Sequence, residues 1–202
     1  MSEAKITFNL LGYWHLGSGA GAGAVADAVV ARDDAGLPYI PGRAVKGLMR
    51  HAMTLACVEP REIVRWFGTF NQVGPNDDDP EVELESSRFE TRPGALRFGS
   101  ARLSSDWIAW ARGSESGVRD AVVDSLLRHV ASTAISKSGV AEGETLRVRE
   151  VAVPMTLIAP VSCADGSDGG DWLERLRSSA PLVRELGSRR NRGYGRVAVE
   201  VK

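Results

Sequence analysis

A glycine- and arginine-rich segment near the C-terminus carries the strongest chemical signal in the sequence. Residues 187–197 read GSRRNRGYGRV, and the side chains that can bind an anion or a base are Arg189, Arg190, Arg192, Tyr194 and Arg196. Glycines let main-chain N–H groups approach an anion, guanidinium groups bind phosphate through paired hydrogen bonds, and tyrosine can stack on a base. The segment is therefore predicted to bind a nucleic-acid backbone. A helix C-cap followed by a turn with solvated arginines is the alternative.

A second basic segment follows a proline–glycine turn in residues 38–50, which read PYIPGRAVKGLMR. The turn leads into a predicted helix whose first half carries Arg43, Lys46 and Arg50. Cations near a helix N-terminus oppose the helix dipole by a few tenths of a kcal/mol, and a bound phosphate would reverse that effect. We therefore expect these three cations to bind the same polymer, and the two basic segments to converge into one anionic-polymer cradle. A rigid turn with ordinary solvated charges remains the alternative.

Composition places these segments in an ordinary soluble protein. The chain has 202 residues, 43% hydrophobic and 25% charged, with a formal net charge of -1, so any basic surface must be local. Cys57 and Cys163 are far apart and form no CxxC pair, which favours a reducing compartment. No signal peptide or apolar run of bilayer length is present, so a cytoplasmic protein without membrane contact is predicted. Length favours one domain over 1–202, with insertions at 17–37 and in an acidic loop at 74–90.

The periodicity of apolar residues predicts a mixture of strands and helices. Alternation of apolar residues predicts a strand at each end of the chain, over 6–10 and 197–201. A further strand is predicted over 95–103, with a bulge at Gly99, and the stretch 145–161 is predicted to form two strands or one bent strand. Helices are predicted from about 45 to 56, 60 to 67, 118 to 130 and 172 to 180, with 182–186 leading to a helix cap at Gly187. This order predicts an α+β fold of the RRM-like, or ferredoxin-like, kind: an antiparallel sheet with helices on one face and inserted loops.

The two basic segments together resemble a known family. Residues 38–50 resemble the proline–glycine turn and basic first helix of the RAMP superfamily, and 187–197 resemble its C-terminal glycine-rich loop. Residues 65–68, 94–103 and 133–154 are similar to that family in a less specific way. Within the superfamily the chain resembles the repeated backbone subunit of type III CRISPR effector complexes. The resemblance implies an RRM-like core, a protruding hairpin that interrupts the guide–target duplex, and partners that include CRISPR guide RNA, target RNA, other RAMP-type subunits and stacked copies of the chain itself.

The resemblance also implies a candidate catalytic residue, because Asp27 matches the family's catalytic aspartate in the loop after the first strand. RNA cleavage needs a 2′-hydroxyl aimed in line at phosphorus, and a loop carboxylate can act as the base or hold a divalent metal such as Mg²⁺. Asp33 and Asp34 are rivals whose position just ahead of Gly36 is typical of a turn. His15 matches the histidine of relatives that process guide precursors, although a lone histidine is more often structural.

The sequence departs from the usual subunit in ways that favour an alternative function. It is short, it keeps only His51 and Cys57 of the His/Cys cluster found after the first helix in many relatives, and its active-site loop is nearly all glycine and alanine. Zinc is therefore not predicted. A subunit that holds RNA without cutting it is the alternative to a metal-assisted endoribonuclease.

The spacing of the glycines in the first loop disfavours a nucleotide-cofactor enzyme. Residues 17–24 read GSGAGAGA, but a G-x-G-x-x-G fingerprint lacks its third glycine in register from Gly17 or Gly19. No GK[ST] follows, so a P-loop is excluded as well.

Overall fold

The computed structural model describes residues 3–19, 21, 23, 26–69, 93–163 and 171–202. The acidic loop predicted at 74–90 lies outside the described residues. In chain order the described elements are β1 (Glu3–Leu10), α1 (Gly42–Leu55), α2 (Pro60–Phe67), β2 (Leu96–Phe98), α3 (Ser105–Gly113), α4 (Ser116–Ser125), β3 (Leu127–Ser132), β4 (Arg147–Ala152), β5 (Thr156–Cys163), α5 (Trp172–Ser179) and β6 (Val197–Val201). None of the helices in these ranges has the length and apolar composition that a bilayer span requires.

The main sheet has the strand order β2-β5-β1-β6, and every neighbouring pair is antiparallel. The register is fixed at the centre, where Phe8 of β1 lies opposite Leu157 of β5 on one side and Val199 of β6 on the other. With α1 between β1 and β2 and α5 between β5 and β6, the order is that of a ferredoxin-like fold. The predicted α+β fold class is therefore confirmed.

One face of this sheet carries the hydrophobic core. Ile6, Phe8 and Leu10 of β1 are fully or almost fully buried, and Met49 of α1 and Leu176 of α5 pack into the same core. Each such side chain contributes roughly 1.5–3 kcal/mol when it is removed from water. The intervening β1 residues on the opposite face are exposed or half-buried. The helices thus lie on one face, as the alternation predicts.

An insertion between β2 and β5 builds a separate two-stranded hairpin. Strand β3 pairs with β4 from Leu127↔Ala152 to Ser132↔Arg147, and residues 133–146 form its outer end. The helix predicted over 118–130 is correct only to Ser125, because Val130 pairs with Arg149 in the hairpin instead of continuing the helix. Pairing across sequence distance overrides the local spacing of apolar residues. The 145–161 stretch is two strands, which belong to different sheets.

Three further sequence predictions need correction. The strand predicted over 95–103 is regular only in Leu96–Phe98; the pairing with β5 then slips by one residue, so that Arg102 lies opposite Ile158. This slip is the extra residue of a β-bulge beginning at the predicted Gly99. Gly187 does not cap a helix, because the 3-10 turn after α5 ends at Leu182 and Glu185 then pairs with Arg196 in extended conformation. Helix α3 was not predicted, since a short helix with two partly exposed tryptophans shows little amphipathic contrast.

Candidate nucleic-acid interface

The glycine-rich loop, residues 187–196, packs closely against residues 13–15, which follow strand β1. Gly187 and Gly195 both have positive φ angles, +79° and +73°. A Cβ on Gly187 would overlap the carbonyl oxygen of His15, and one on Gly195 would overlap that of Leu186. These two positions therefore require glycine both for backbone conformation and for close approach of another backbone segment.

Hydrogen bonds fix the same loop from both ends. The Ser188 amide donates to the His15 carbonyl at 2.9 Å, and the Gly195 amide donates to the Tyr13 carbonyl at 2.8 Å. Inside the loop, the amides of Arg192 and Gly193 donate to carbonyls of a short 3-10 turn. These four amides are used to fold the loop, so the guanidinium groups become its main means of contacting an anion.

The arginines of the loop face outward. Arg190, Arg192 and Arg196 are exposed, while Arg189 and Tyr194 are half-buried. Arg189 has a left-handed backbone, φ 58°, at the start of the 3-10 turn. Within the described part of the chain, none of these arginines forms an ion pair. The loop therefore presents uncompensated positive charge on a rigid backbone, which suits a polyanion.

The base of the β3–β4 hairpin adjoins the glycine-rich loop through a partly buried polar junction. Arg149 of β4 donates to the Ser188 hydroxyl at 3.0 Å. The buried His15 ring donates through Nδ1 to the Glu150 carbonyl at 2.7 Å, a tautomer required by that acceptor. Burial lowers the pKa of His15, so the neutral ring is favoured in the folded protein. His15 thus has a structural role, because it links the glycine-rich loop to the β3–β4 hairpin.

The Glu150 carboxylate completes this junction. Glu150 is buried, and both of its carboxylate oxygens have partners: one accepts a hydrogen bond from the Val30 amide at 2.9 Å, and the other pairs with Arg32 at 2.6 Å. The chain around residue 28 runs parallel to β4, with Ala28 bridged to Arg149. Part of the predicted 17–37 insertion is thus an added edge of the hairpin rather than an independent loop.

Asp27 lies on that edge, and its side chain is held in a defined position. The Asp27 amide donates to the Val148 carbonyl and the Val148 amide donates back to Asp27 Oδ2, both at 2.8 Å. The residue remains exposed. One carboxylate oxygen is therefore engaged by the hairpin backbone, close to the outer end of the paired strands, while the residue stays accessible to a ligand.

Asp33 and Asp34 have structural partners. Asp33 Oδ1 accepts from the amides of Ala35 and Leu37, as the predicted turn requires, and its other oxygen pairs with Arg102 at 2.9 Å. Asp34 pairs with Arg102 and with Arg112, and hydrogen bonds from these guanidinium groups lower the pKa of Asp34. Both carboxylates are committed to holding the turn against its neighbours.

The basic face of α1 is built by helical spacing. Arg43, Lys46 and Arg50 are three and four residues apart, so they lie along one side of the helix, and no acidic residue is present in α1. Burial lowers the pKa of Lys46, and repulsion from Arg50 and from Arg97 of β2 acts in the same direction. An anion placed among these like charges would relieve the repulsion.

The three cations of α1 differ in what they contact. Arg43 is exposed. Arg50 donates to the Gly68 carbonyl, its guanidinium lies 5.7 Å from the centre of the Phe67 ring, and burial lowers its pKa. Arg50 therefore anchors the end of α2 to α1 as well as contributing charge, a dual role that residue type alone does not indicate.

The two basic segments occupy opposite edges of the main sheet. The start of α1 at Gly42 lies against the backbone of Phe98 and Gly99 beside β2, whereas the glycine-rich loop leads into β6. Three strand spacings, roughly 14 Å, separate these edges. Direct convergence into a single cradle is not observed among the described residues; instead the structure adds Arg97 and Arg149, which the sequence did not single out, one to each segment.

The surroundings of Asp27 do not form a metal site by themselves. In ranges 3–19, 26–69, 93–163 and 171–202, no group of three or more His, Cys, Asp or Glu side chains comes close enough to hold an ion. A single carboxylate binds Mg²⁺ only with oxygens from other sources. His51 and Cys57 line an open groove between α1 and α2 without further ligands.

The chain is similar to known proteins both in structure and in sequence. Two solved structures are similar over nearly the whole chain, at 12% identity each. One, described as the apo state of the type III-B Cmr-beta complex, covers 98% of this chain and 96% of its own, with a TM-score of 0.71. The other, Cmr-beta bound to cognate target RNA, covers 100% and 97%, with a TM-score of 0.65. No curated protein matches in sequence. The sequence model of the RAMP superfamily matches residues 7–156. The chain therefore belongs to the RAMP superfamily.

Proposed function

We propose that the chain is a guide-RNA-binding backbone subunit of a type III CRISPR ribonucleoprotein. The observation that carries this proposal is the glycine-rich loop, whose backbone is pinned by Gly187 and Gly195 while its arginines face solvent. Membership of the RAMP superfamily and similarity to chains of type III-B Cmr-beta complexes support the assignment. The partners are then guide RNA, target RNA, other RAMP-type subunits and further copies of this chain in a stacked filament.

A single RNA strand would contact both basic segments in turn. Arg190, Arg192 and Arg196 would bind phosphates at the β6 edge, and Arg43 and Lys46 would bind them at the β2 edge. A few nucleotides of single-stranded RNA span the roughly 14 Å between the edges. The two segments can therefore serve one strand without touching each other.

The mode of binding would differ from that of an RRM that stacks bases on its sheet. Exposed residues on the open sheet face include Lys5, Asn9, Thr156, Pro160 and Glu200, and the described strands place no aromatic ring there. Bases would therefore find no aromatic side chain on the described strands of that face to stack on. Backbone contacts by arginine and lysine would dominate, which suits a protein that must accept guides of any sequence.

The test is a salt titration of RNA binding with a matched control. The triple variant Arg189→Ala, Arg190→Ala and Arg192→Ala is compared with wild type and with a control triple, Arg61→Ala, Arg175→Ala and Arg177→Ala, at exposed positions on α2 and α5. Both triples change the net charge equally. Binding of labelled single-stranded RNA is followed by fluorescence anisotropy. The loop triple should reduce the slope of log K against log salt by about 0.7 for each lost phosphate contact. Equal slopes for the two triples would contradict the proposal.

We propose Asp27 as the residue through which bound target RNA is cleaved. Its carboxylate would accept the proton of a 2′-hydroxyl, whose oxygen forms a bond to the adjacent phosphorus while the bond to the 5′-oxygen breaks. The products are a 2′,3′-cyclic phosphate and a 5′-hydroxyl, whose proton comes from water. The exposed, hydrogen-bonded position of Asp27 beside the hairpin supports this role. A divalent metal such as Mg²⁺ would be held by the Asp27 carboxylate together with oxygens of RNA and water, and it would stabilise the negative charge that develops at the phosphate.

Cleavage is tested in the assembled ribonucleoprotein. Asp27→Asn keeps an oxygen that can accept the Val148 amide but removes the base, so target cleavage should be abolished while guide binding stays intact. Asp34→Asn is the matched control and should leave cleavage unchanged. Undiminished cleavage by Asp27→Asn would remove Asp27 from the mechanism. Absence of cleavage in the wild-type assembly would identify the chain as a subunit that holds RNA without cutting it.

A further inference from the structure

Glu150 of β4 has a buried carboxylate whose hydrogen-bond partners both lie in the segment that carries Asp27. The Glu150 side chain is only 4% exposed, and it contacts Val30 and Arg32. A carboxylate is costly to bury alone, and even a buried ion pair often contributes little net stability compared with apolar residues of similar size. Stability alone therefore gives no reason for a charge at this position.

The segment 27–32, here called the Asp27 edge, is joined to β4 by two main-chain hydrogen bonds. The Asp27 amide donates to the Val148 carbonyl at 2.8 Å, and the Glu150 amide donates to the Ala28 carbonyl at 3.0 Å. Nearly every residue offers the same N–H and C=O groups, so bonds of this kind form equally well when one strand is shifted along the other. The backbone by itself thus leaves the register of the edge open.

The side chains around Asp27 add little preference for one register. Residues 28–31 are two alanines and two valines, and residues 17–24 contain only glycine, alanine and one serine. On the side away from β4, residues 29–31 pair with 16–18, again through main-chain hydrogen bonds. Strands of such composition specify their register weakly. A slip of one residue would move Asp27 by roughly 3.3 Å and turn its side chain to the other face, which in-line attack at phosphorus does not tolerate.

Glu150 supplies the specific contacts that these backbone pairs lack. One carboxylate oxygen accepts from the Val30 amide at 2.9 Å, and the other pairs with the Arg32 guanidinium at 2.6 Å. Arg32 carries the only cationic side chain in residues 27–32, so the ion pair forms in a single register. Charge-assisted hydrogen bonds of this kind are short and directional, which suits them to hold one strand position against its neighbours.

We propose that Glu150 is a positioning residue for RNA cleavage, whose carboxylate fixes the register of the Asp27 edge on β4 and thereby aims the Asp27 carboxylate. Glu150 itself is buried and does not contact RNA. It has this role only if Asp27 is the catalytic residue, so the inference rests on the proposed function. The main-chain carbonyl of Glu150, which accepts from His15, takes no part in setting the register. Substitution of the Glu150 side chain therefore leaves the partner of His15 in place.

The test is a double-mutant cycle in the assembled ribonucleoprotein, with cleavage measured over a range of target RNA concentrations. Glu150→Gln keeps an oxygen for the Val30 amide but places a side-chain amide against the Arg32 guanidinium. Arg32→Gln leaves the Glu150 carboxylate buried without its cation. Each single variant should lower the maximal cleavage rate by about ten- to hundredfold, as is typical when a residue that orients a functional group is replaced. KM for target RNA and affinity for guide RNA should not change, because neither residue is placed at the RNA contacts.

The double variant, Glu150→Gln with Arg32→Gln, is the rescue. Two facing side-chain amides can hydrogen-bond to each other, so part of the lost rate should return and the two losses should be less than additive. Additive losses would overturn the proposal, because Glu150 and Arg32 would then act separately.

Hydrogen exchange follows the edge independently of cleavage. The amides of Asp27 and Val30 should exchange faster in both single variants than in wild type, and more slowly again in the double variant. Leu176→Ala, in the core contact of α5, is the control for general loss of stability. It should lower the thermal midpoint without changing the maximal cleavage rate or the exchange of these two amides.

Three outcomes separate this proposal from the proposed function. A wild-type cleavage rate in Glu150→Gln would overturn the positioning role and leave the role of Asp27 standing. An equal loss of rate in Leu176→Ala would also overturn it, since destabilisation alone would then account for the effect. Absence of cleavage in the wild-type assembly would overturn the catalytic role of Asp27 and the positioning role together, whereas guide-RNA binding is decided separately by the salt titration of the glycine-rich loop.

Discussion

The glycine-rich loop and the basic face of α1 present similar charge through different construction. In the loop, backbone contacts between Gly187 and His15 and between Gly195 and Leu186 determine where the arginines point. In α1, helical periodicity alone aligns Arg43 with Lys46, and the backbone plays no special part. Two segments of similar charge should therefore differ in which substitutions they tolerate. Adding a methyl group to Gly187 or Gly195 should disrupt the loop, whereas α1 should be affected only when a charge or an anchoring contact is removed.

The largest effect is expected from Gly195→Ala. The new Cβ would overlap the Leu186 carbonyl at a positive φ, so the free energy of unfolding should fall by more than about 3 kcal/mol. Gly193→Ala is the matched control: its φ is likewise positive, +79°, but no atom lies within 4 Å of the added Cβ, and the loss should be about 1–2 kcal/mol. Urea denaturation measures both. Similar losses would mean that close backbone approach does not define the loop.

The next effect sharpens the contrast within α1. Arg50→Ala removes the hydrogen bond to Gly68 and the contact with the Phe67 ring, so unfolding free energy should fall by about 1–3 kcal/mol. Arg43→Ala, at an exposed position, should change it by no more than about 0.5 kcal/mol. Equal losses for the two variants would show that Arg50 is not an anchor between α1 and α2.

A smaller effect concerns the charge of α1 itself. The double variant Arg43→Ala and Lys46→Ala should lower the salt slope of RNA binding by up to about 1.4, or about 0.7 for each phosphate contact. Stability should rise slightly at a pH where Lys46 is charged, because burial and repulsion disfavour its protonated form in the folded state, and this gain should disappear at a pH high enough to deprotonate Lys46 in both states. An unchanged slope would mean that α1 does not contact RNA phosphates and that only the glycine-rich loop binds RNA.

The smallest effect is a pH dependence at the junction between loop and hairpin. Burial lowers the pKa of His15 from its ordinary value of 6.5, so the unfolded chain binds a proton more readily than the folded one. Stability is therefore retained above pH 6.5 and falls as the pH drops below it. His15→Asn keeps a donor for the Glu150 carbonyl and does not titrate. Its stability loss on acidification should be smaller than that of wild type in urea denaturation at a series of pH values.

Much of the fold followed from short-range patterns. Alternation in β1 and β6 and the apolar stripe of α1 were enough to predict their positions, because one buried face imposes a period on each element. The end of α4 was mispredicted, because Val130 fits a helical stripe equally well but pairs with Arg149 in the hairpin. Pairing partners 19 residues apart leave no mark in the local pattern.

The candidate interface, like the fold, was predictable from the sequence only in part. The sequence by itself determined the residue types, the glycines that permit positive φ and the arginines between them, since backbone freedom and charge are properties of single residues. Tertiary structure alone decided which glycines press on a neighbouring carbonyl, that Arg50 anchors α2, that Arg149 joins the loop to the hairpin, and that the two basic segments occupy opposite edges of the sheet. These facts depend on which distant segments are brought together, and that is fixed by burial of the whole core rather than by any local run of residues.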